Sequence, residues 1–310
     1  MDRRSFLSAA AGFVAAAALP LKLGAQPTPE IAFTFDDPMT QTRAGMSWRQ
    51  INRGMLDALA KHRVKAALFV CGKRVDSPEG SRLLDEWEAA GHLLGSHSYS
   101  HLYLDSSKVT LDEYRHDIER NEPLLLPRAN FRRIFRFPFF KEGNTLEKRD
   151  GVRQFLAAKG YSIGRATIDA SDWAIDGRLG KRFDSDPAAS LAPYRAFYLE
   201  HLWGRAQYYD ALAQEVLGHS VRHTILLHHS ALNAHFLEDL LTMFEARGWR
   251  PIDAAHAYAD PIYARQPNIL PAGEGLIWAL AKESGRHRGT LRYPGEDDVY
   301  ENPRMDQLGL

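Results

Sequence analysis

The chain has 310 residues, of which 45% are hydrophobic, so it is long enough to bury one large core or two modest ones. A formal net charge of 0 without any basic run argues against a polyanionic partner such as nucleic acid. The only cysteine, Cys71, can form neither an intrachain disulfide nor a cysteine-rich zinc site.

The beginning of the chain predicts an export signal of the twin-arginine type over residues 1–25. Twin arginines precede an apolar stretch from Ala9 to Leu19, and small residues before Gln26 offer a cleavage site. The apolar stretch is too short to span a bilayer as a permanent helix. We therefore expect a periplasmic or secreted protein with no stable membrane insertion after signal removal. A basic amphipathic anchor is the alternative.

Beyond the signal, apolar strands alternate with helical patterns. The predicted strands are 31–35, 65–71, 92–96, 134–137, 161–168, 224–227 and a last one around 251–252. The predicted helices between them are 48–61, 78–91, 111–125, 152–159 and 233–247. This alternation predicts an α/β fold with a parallel sheet, and about seven units favour a closed or nearly closed barrel. A doubly wound open sheet is the alternative.

One domain, residues 26–282, accounts for the alternating pattern. A segment of about 174–222 interrupts it between the fifth and sixth strands, with aromatic-rich helices predicted between Pro187 and Leu217. Those aromatic side chains either stack on sugar rings or form the core of a helical hairpin. The polar tail, residues 283–310, is expected to wrap the surface or to fray.

Two adjacent carboxylates, Asp36 and Asp37, end the first strand, where barrels of this type place their active sites. His97 and His101, four residues apart, follow the third strand. Two imidazoles and one carboxylate can hold a divalent ion with positions left open for water and substrate. The pattern therefore predicts a metal-dependent hydrolase.

Other polar residues also end strands. Arg136 can hold a neighbouring carboxylate ionised and oriented, or it is a surface arginine. Asp172 and His228 form a second potential pair, because a carboxylate beside an imidazole keeps it protonated for general acid work. Trp173 could form an apolar wall for an acyl methyl group, and we interpret His229 as structural.

In this order the motifs resemble those of the polysaccharide deacetylases, the NodB-homology domains of carbohydrate esterase family 4. The resemblance runs from about residue 31 to 255. It is carried by Thr34-Phe35-Asp36-Asp37, His97-Ser98-Tyr99-Ser100-His101, Arg136-Phe137-Pro138, Asp169-Ala170-Ser171-Asp172-Trp173 and Leu226-Leu227-His228.

The resemblance implies a distorted (β/α)7 barrel that hydrolyses N-acetyl, sometimes O-acetyl, groups on sugars. It implies zinc, with cobalt, nickel or manganese as alternatives, and an acetylated carbohydrate as the partner. The implied roles are a general base (Asp36), metal ligands (Asp37, His97, His101), an arginine that holds the base (Arg136), a general acid (His228), an aspartate that tunes it (Asp172), an oxyanion-binding amide (Phe139) and an acyl-side wall (Trp173).

The chain departs from the family pattern at three places. Pro38 follows the aspartate pair where glycine is usual, and Phe139-Phe140 stands where Tyr-Gly is common. The third departure is the long segment from Ala174 to Arg222. These differences affect which substrate the site accepts more than which reaction it catalyses. Two alternative hypotheses therefore stay open: hydrolysis of a small non-glycan amide by the same barrel, and a catalytically silent glycan-binding barrel.

Overall fold

The computed structural model describes residues 28–287, 289, 291 and 298–310, so the predicted export signal lies outside the described residues. The strands are β1 (Glu30–Asp36), β2 (Ala67–Val70), β3 (Leu93–Ser96), β4 (Phe131–Phe135), β5 (Lys141–Gly143), β6 (Ser162–Ile163), β7 (Arg222–His228), β8 (Arg250–Pro251) and β9 (Ala272–Gly273).

The α-helices are α1 (Trp48–Lys61), α2 (Gly72–Val75), α3 (Pro78–Ala89), α4 (Leu111–Leu125), α5 (Leu146–Ala158), α6 (Asp172–Ser185), α7 (Ala192–Leu217), α8 (Ala231–Ala246), α9 (Ala254–Tyr258), α10 (Leu276–Glu283) and α11 (Glu301–Leu308). Short 3-10 helices cover Pro138–Phe140 and Pro261–Ala264. Among the described residues, no helix is both long and apolar enough to cross a membrane.

A curled, all-parallel sheet organises the chain, with strand order β6-β4-β3-β2-β1-β7 and with β8 paired to the start of β1. The segment of residues 161–168 bends the sheet towards closure. It pairs with β4 through Ile163 and bridges to β7 through Ile168 and Ile225. This arrangement is the predicted barrel rather than a doubly wound sheet. Only part of the predicted strand 161–168 forms a regular ladder, because the segment crosses from β4 to β7.

Local capping explains why two helices begin where the sequence predicts. Ser47 precedes α1 and forms a capping box with Gln50, and Thr110 does the same with Glu113 before α4. By contrast, α5 starts six residues before the predicted position, at Leu146, because Thr145 caps it by accepting a hydrogen bond from the backbone N–H of Lys148.

The aromatic residues of the inserted segment form core, not a sugar platform. Helix α7 buries Tyr194, Phe197, Tyr198 and Tyr209, and each is less than a tenth exposed. They pack in the same hydrophobic cluster as the sheet and α8. The helical-hairpin alternative therefore accounts for these side chains, since buried rings cannot stack on a ligand.

Two further elements were not predicted as regular secondary structure. The antiparallel pair β5–β9 was not predicted, because strands of two or three residues carry no periodic pattern. In the tail, residues 301–308 form α11, which packs against the body through the fully buried Met305 rather than fraying.

A buried polar network joins α1, α3 and the residue after β7. The Asn52 Oδ1 atom accepts from the Trp87 indole N–H at 2.6 Å and lies 3.0 Å from His229 Nε2. Asn52 Nδ2 donates to a Glu86 carboxylate oxygen at 2.6 Å. Burial lowers the pKa of His229 to about 4, so its ring is neutral. These contacts give His229 a structural role.

Replacing Asn52 with leucine should destabilise the protein by about 2 kcal/mol or more, because the Trp87 and His229 rings lose a buried partner. Urea unfolding followed by fluorescence measures the loss. The control is Asn144→Leu, which removes an exposed amide and should change the unfolding free energy by less than about 0.5 kcal/mol. Equal unfolding midpoints for the two variants would contradict the network's role.

Candidate active site

The predicted site residues meet at the carboxyl-terminal edge of the curled sheet. Asp36 ends β1 and His228 ends β7, and the two are register partners in adjacent strands. A cavity of about 430 Å³ opens at this edge. It is lined by the predicted site residues Asp36, Asp37, His97, His101, Phe139, Trp173 and His228. Arg136 and Asp172 lie behind its wall, both fully buried.

Three of these residues form a candidate metal centre. Asp37, His97 and His101 offer ligand atoms that all lie within 4.8 Å of one another. Asp37 Oδ1 is buried and accepts no hydrogen bond, although the Arg74 Nε atom lies 3.1 Å away. Asp37 Oδ1 is thus paired with Arg74, whereas Asp37 Oδ2 lies 3.5 Å from His101 Nε2. One carboxylate with two imidazoles is a donor set suited to zinc.

The histidines are held in the form that a metal requires. The His97 Nδ1 atom lies 2.9 Å from the Arg136 carbonyl oxygen, so Nδ1 carries the proton and Nε2 is left for a ligand. Burial lowers the pKa of His97 to about 3, despite the nearby Asp37 carboxylate. The pKa of His101 is also lowered, again chiefly by burial. Both rings are therefore neutral at physiological pH.

The backbone at the site is strained in a way that orients the ligands. Asp37 and His101 have φ angles of 59° and 57°, in the left-handed region that non-glycine residues rarely adopt. Each such residue costs on the order of 1–3 kcal/mol and persists where its surroundings over-determine it. Here the strain turns both side chains into the same cavity.

Arg136 fixes Asp36. The guanidinium is fully buried and donates to Asp36 Oδ1 at 2.7 Å. It also donates to the Thr34 hydroxyl and the Tyr258 hydroxyl, each at 2.9 Å, and to the Gly164 carbonyl at 2.8 Å. Burial raises the pKa of Asp36, and the positive charge of Arg136 opposes that rise. The second oxygen, Oδ2, lies 3.6 Å from His97 Nε2.

His228 is paired with a buried carboxylate. Its Nδ1 atom lies 2.7 Å from Asp172 Oδ1, and its backbone N–H donates to Asp172 Oδ2 at 2.8 Å. Asn233 in α8 donates to the same Oδ2 at 2.7 Å. Burial lowers the pKa of His228, but the charge and hydrogen bond of Asp172, helped by Asp36 and Asp37, outweigh it and raise the pKa to about 9. At neutral pH His228 is a protonated imidazole that can release a proton into the cavity.

The apolar side of the cavity comes from Phe139 and Trp173. The Phe139 side chain is 46% exposed, and its ring centroid lies 4.5 Å from that of His101 and 5.4 Å from that of Tyr103. Trp173 is 38% exposed and is the second residue of α6. Aromatic surface beside polar groups fits a small acyl group or a sugar face.

Four supporting residues were missed in the sequence. Thr34 and Tyr258 hold Arg136, Asn233 holds Asp172, and Arg74 lies against Asp37. Thr34 stands within the first motif, and its alternation with apolar neighbours could have indicated an inward polar group. The others lie on separate helices, where no local pattern marks them.

Comparisons with known proteins find similarity to polysaccharide deacetylases over part of the chain. The polysaccharide deacetylase family model matches residues 24–164. A peptidoglycan-N-acetylglucosamine deacetylase of Bacillus cereus is 30% identical over 146 residues, which are 46% of this chain and 46% of that protein. The peptidoglycan-N-acetylmuramic acid deacetylase PdaA of Bacillus subtilis is 27% identical over 158 residues, covering 49% of this chain and 54% of that protein. The chain thus spans about half the length of these curated relatives.

A solved structure shares the fold. It is a CE4 family pseudoenzyme from Bacillus anthracis, with a TM-score of 0.52 and 17% identity, covering 75% of this chain and 66% of that one. The predicted barrel is thereby confirmed. The family match ends before Asp172 and His228 but includes the residues from Asp36 to Arg136. The stretch from residue 24 to 164, which carries the candidate metal centre and the Asp36–Arg136 pair, matches the model of the polysaccharide deacetylase family, the family that the order of the motifs predicted.

Proposed function

We propose that the chain is a metal-dependent hydrolase that removes acetyl groups from an acetylated carbohydrate, with N-acetyl groups as the first choice. The observation that carries this proposal is the cavity at the sheet edge. A three-ligand centre, a carboxylate fixed by Arg136 and a protonated His228 all line or support it. Because the curated relatives are named for peptidoglycan substrates, a cell-envelope glycan is the substrate we favour.

A divalent cation held by Asp37, His97 and His101 would polarise the acetyl carbonyl and make a water molecule more acidic. We assign zinc, with cobalt, nickel or manganese as alternatives, from the donor set. The proposal places the protein outside the cytoplasm, in the periplasm or secreted, in keeping with the twin-arginine sequence at the start of the chain.

The protein's own groups complete the proposed reaction. Asp36 accepts a proton from water as the water oxygen bonds to the acetyl carbon, and Arg136 keeps that carboxylate ionised and in place. The backbone N–H of Phe139 donates to the developing oxyanion. His228 gives its proton to the sugar nitrogen as the carbon–nitrogen bond breaks, releasing acetate and a free amine. Trp173 packs against the acetyl methyl group.

A silent glycan-binding barrel is the alternative that one comparison favours, since a pseudoenzyme of this fold exists. That alternative predicts that a group needed for turnover is missing or displaced. Here the candidate base, acid and ligands are all present around one cavity, which supports catalysis. Acetate release from acetylated oligosaccharides tests the proposal directly. Glycan binding without any acetate release would overturn the proposal. Product release only from small non-glycan amides would instead favour an amidohydrolase with the same barrel.

Asp36→Asn should lower kcat for acetate release by about 10²–10⁴-fold, because the amide cannot accept the proton from water. Metal content, measured by elemental analysis, should stay unchanged, since Asp36 is not among the three candidate ligands. Full activity in this variant would rule out Asp36 as the base.

Chelator treatment should abolish acetate release, and added zinc or cobalt should restore it. His101→Gln should reduce the bound metal per chain well below that of the unaltered protein. The matched control is His116→Gln, which changes an exposed histidine on α4 and should leave both metal content and activity unchanged. Activity that survives complete metal removal would disprove the metal centre.

The pH dependence of kcat should reflect the protonation of His228. A general acid must be protonated, so activity should fall as pH rises through about 9, the pKa to which Asp172 raises His228. Asp172→Asn removes the negative charge and should move this alkaline limb to lower pH. The limb is read from kcat over pH 6 to 10. An alkaline limb that does not move in Asp172→Asn would argue against the pair.

A further inference from the structure

Helix α11 docks behind the start of α6, the helix whose first residue is Asp172. Its first residue, Glu301, is only 1% exposed, and Ser171 is fully buried. The Ser171 hydroxyl donates to Glu301 Oε1 at 2.5 Å. His201 of α7 brings its Nε2 atom to 3.0 Å from the same carboxylate oxygen. Glu301 thus links α6, α7 and α11 at one buried point.

Serine, histidine and glutamate together resemble a hydrolytic triad, but their geometry excludes that role. In such a triad the serine and the acid contact opposite nitrogens of the imidazole. Here Ser171 Oγ and Glu301 Oε1 both lie beside Nε2 of His201, at 3.2 Å and 3.0 Å. The Ser171 side chain is also fully buried and does not line the active-site cavity. The cluster is therefore a support and not a second catalytic centre.

Ser171 stands at the N-cap position of α6, yet its side chain makes no capping hydrogen bond. The serines and threonines before α1, α3, α4, α5 and α8 all cap their helices. Ser171 instead directs its hydroxyl to Glu301, so the side chain does not cap its own helix. The position of this residue is thus set from outside the helix.

The same face of α6 is tied to the tail at a second place. Arg178 donates to the Asn302 side-chain oxygen at 3.1 Å and to the Leu310 carbonyl at 2.8 Å, and it pairs with Asp306 at 2.7 Å. Arg205 of α7 supports the chain just before α6 by donating to the Asp169 carbonyl at 2.8 Å. The start of α6 is therefore held from behind by α7 and α11.

We propose that Glu301 is a positioning residue for the general acid. By holding Ser171, it keeps the adjacent Asp172 where both carboxylate oxygens reach His228. Charge-assisted hydrogen bonds of 2.7–2.8 Å weaken steeply when a partner moves. A small shift of Ser171, which moves Asp172, would therefore weaken the hydrogen bonds that hold the His228 imidazole. This inference rests on the proposed function for its catalytic meaning but not for its geometry.

The test compares Glu301→Ala with Glu301→Gln, each alone and in combination with Asp172→Asn. Glu301→Ala should lower kcat by about 10-fold or more, with a much smaller change in KM, because orientation and not substrate binding is disturbed. Glu301→Gln keeps an acceptor for the Ser171 hydroxyl and should show a smaller loss. In the Asp172→Asn background, Glu301→Ala should add little, since the two act through one contact.

A readout independent of activity separates this inference from the proposed function. NMR titration of the His228 imidazole should show a lower pKa in Glu301→Ala than in the unaltered protein. Of the described residues, the titratable groups facing His228 are Asp172 and Asp176 of α6, Asp36, Asp37 and the neutral His101, and the substitution changes none of them. The titration remains decisive even if no acetate is released.

The control is Arg304→Gln, which changes an exposed side chain of α11 that contacts Gln307 of the same helix and should leave the His228 titration unchanged. If Glu301→Ala destabilises the fold, Glu301→Gln carries the test. A titration unchanged in both Glu301 variants but moved by Asp172→Asn would overturn the proposal. The proposal would also be overturned if the kcat losses of Glu301→Ala and Asp172→Asn multiplied in the variant that carries both.

Discussion

The buried guanidinium of Arg136 is the constraint on which the rest of the site depends. A charge taken wholly out of water is tolerated only if it is paired and its donors are satisfied. Arg136 meets this requirement through Asp36, Thr34, Tyr258 and the Gly164 carbonyl. These partners come from β1, α9 and the segment that follows β6, so one side chain ties together opposite parts of the curled sheet. Removing one member of such a pair typically costs about 3–5 kcal/mol.

Around that pair, burial and charge divide the titratable groups into distinct protonation states. The candidate ligands His97 and His101 are driven towards neutrality by desolvation, whereas the same desolvation at His228 is overcome by the Asp172 carboxylate. The imidazoles of His97, His101 and His228 thus differ in charge because only His228 has a buried carboxylate behind its ring. A neutral pair suits coordination and a protonated third suits proton donation, which is the division that deacetylation would need.

Much of this arrangement is visible in the sequence, because short-range rules specify it. Capping boxes begin α1 and α4, and polar residues that terminate apolar strands mark the edge where the cavity opens. The motif order likewise predicted the family whose model matches residues 24–164.

What the sequence could not provide are contacts between residues far apart in the chain. Asn233 reaches Asp172 from α8, and Glu301 reaches Ser171 across 130 positions. Hydrogen bonds of this kind depend on how helices pack, and no spacing rule records them. The same holds for the β5–β9 pair, whose strands are too short to show a period.

Phe140 shows what the backbone of this site demands of its residues. Phe140 adopts a left-handed backbone conformation, with φ of 53°, although it carries an aromatic ring. That ring is 7% exposed, packs with Ala166 and Leu226, and lies 5.7 Å from the Arg136 guanidinium. The side chain covers the buried charge at a conformational cost of about 1–2 kcal/mol. The Phe140 ring therefore forms an aromatic cover over the buried arginine, at a backbone position that favours glycine.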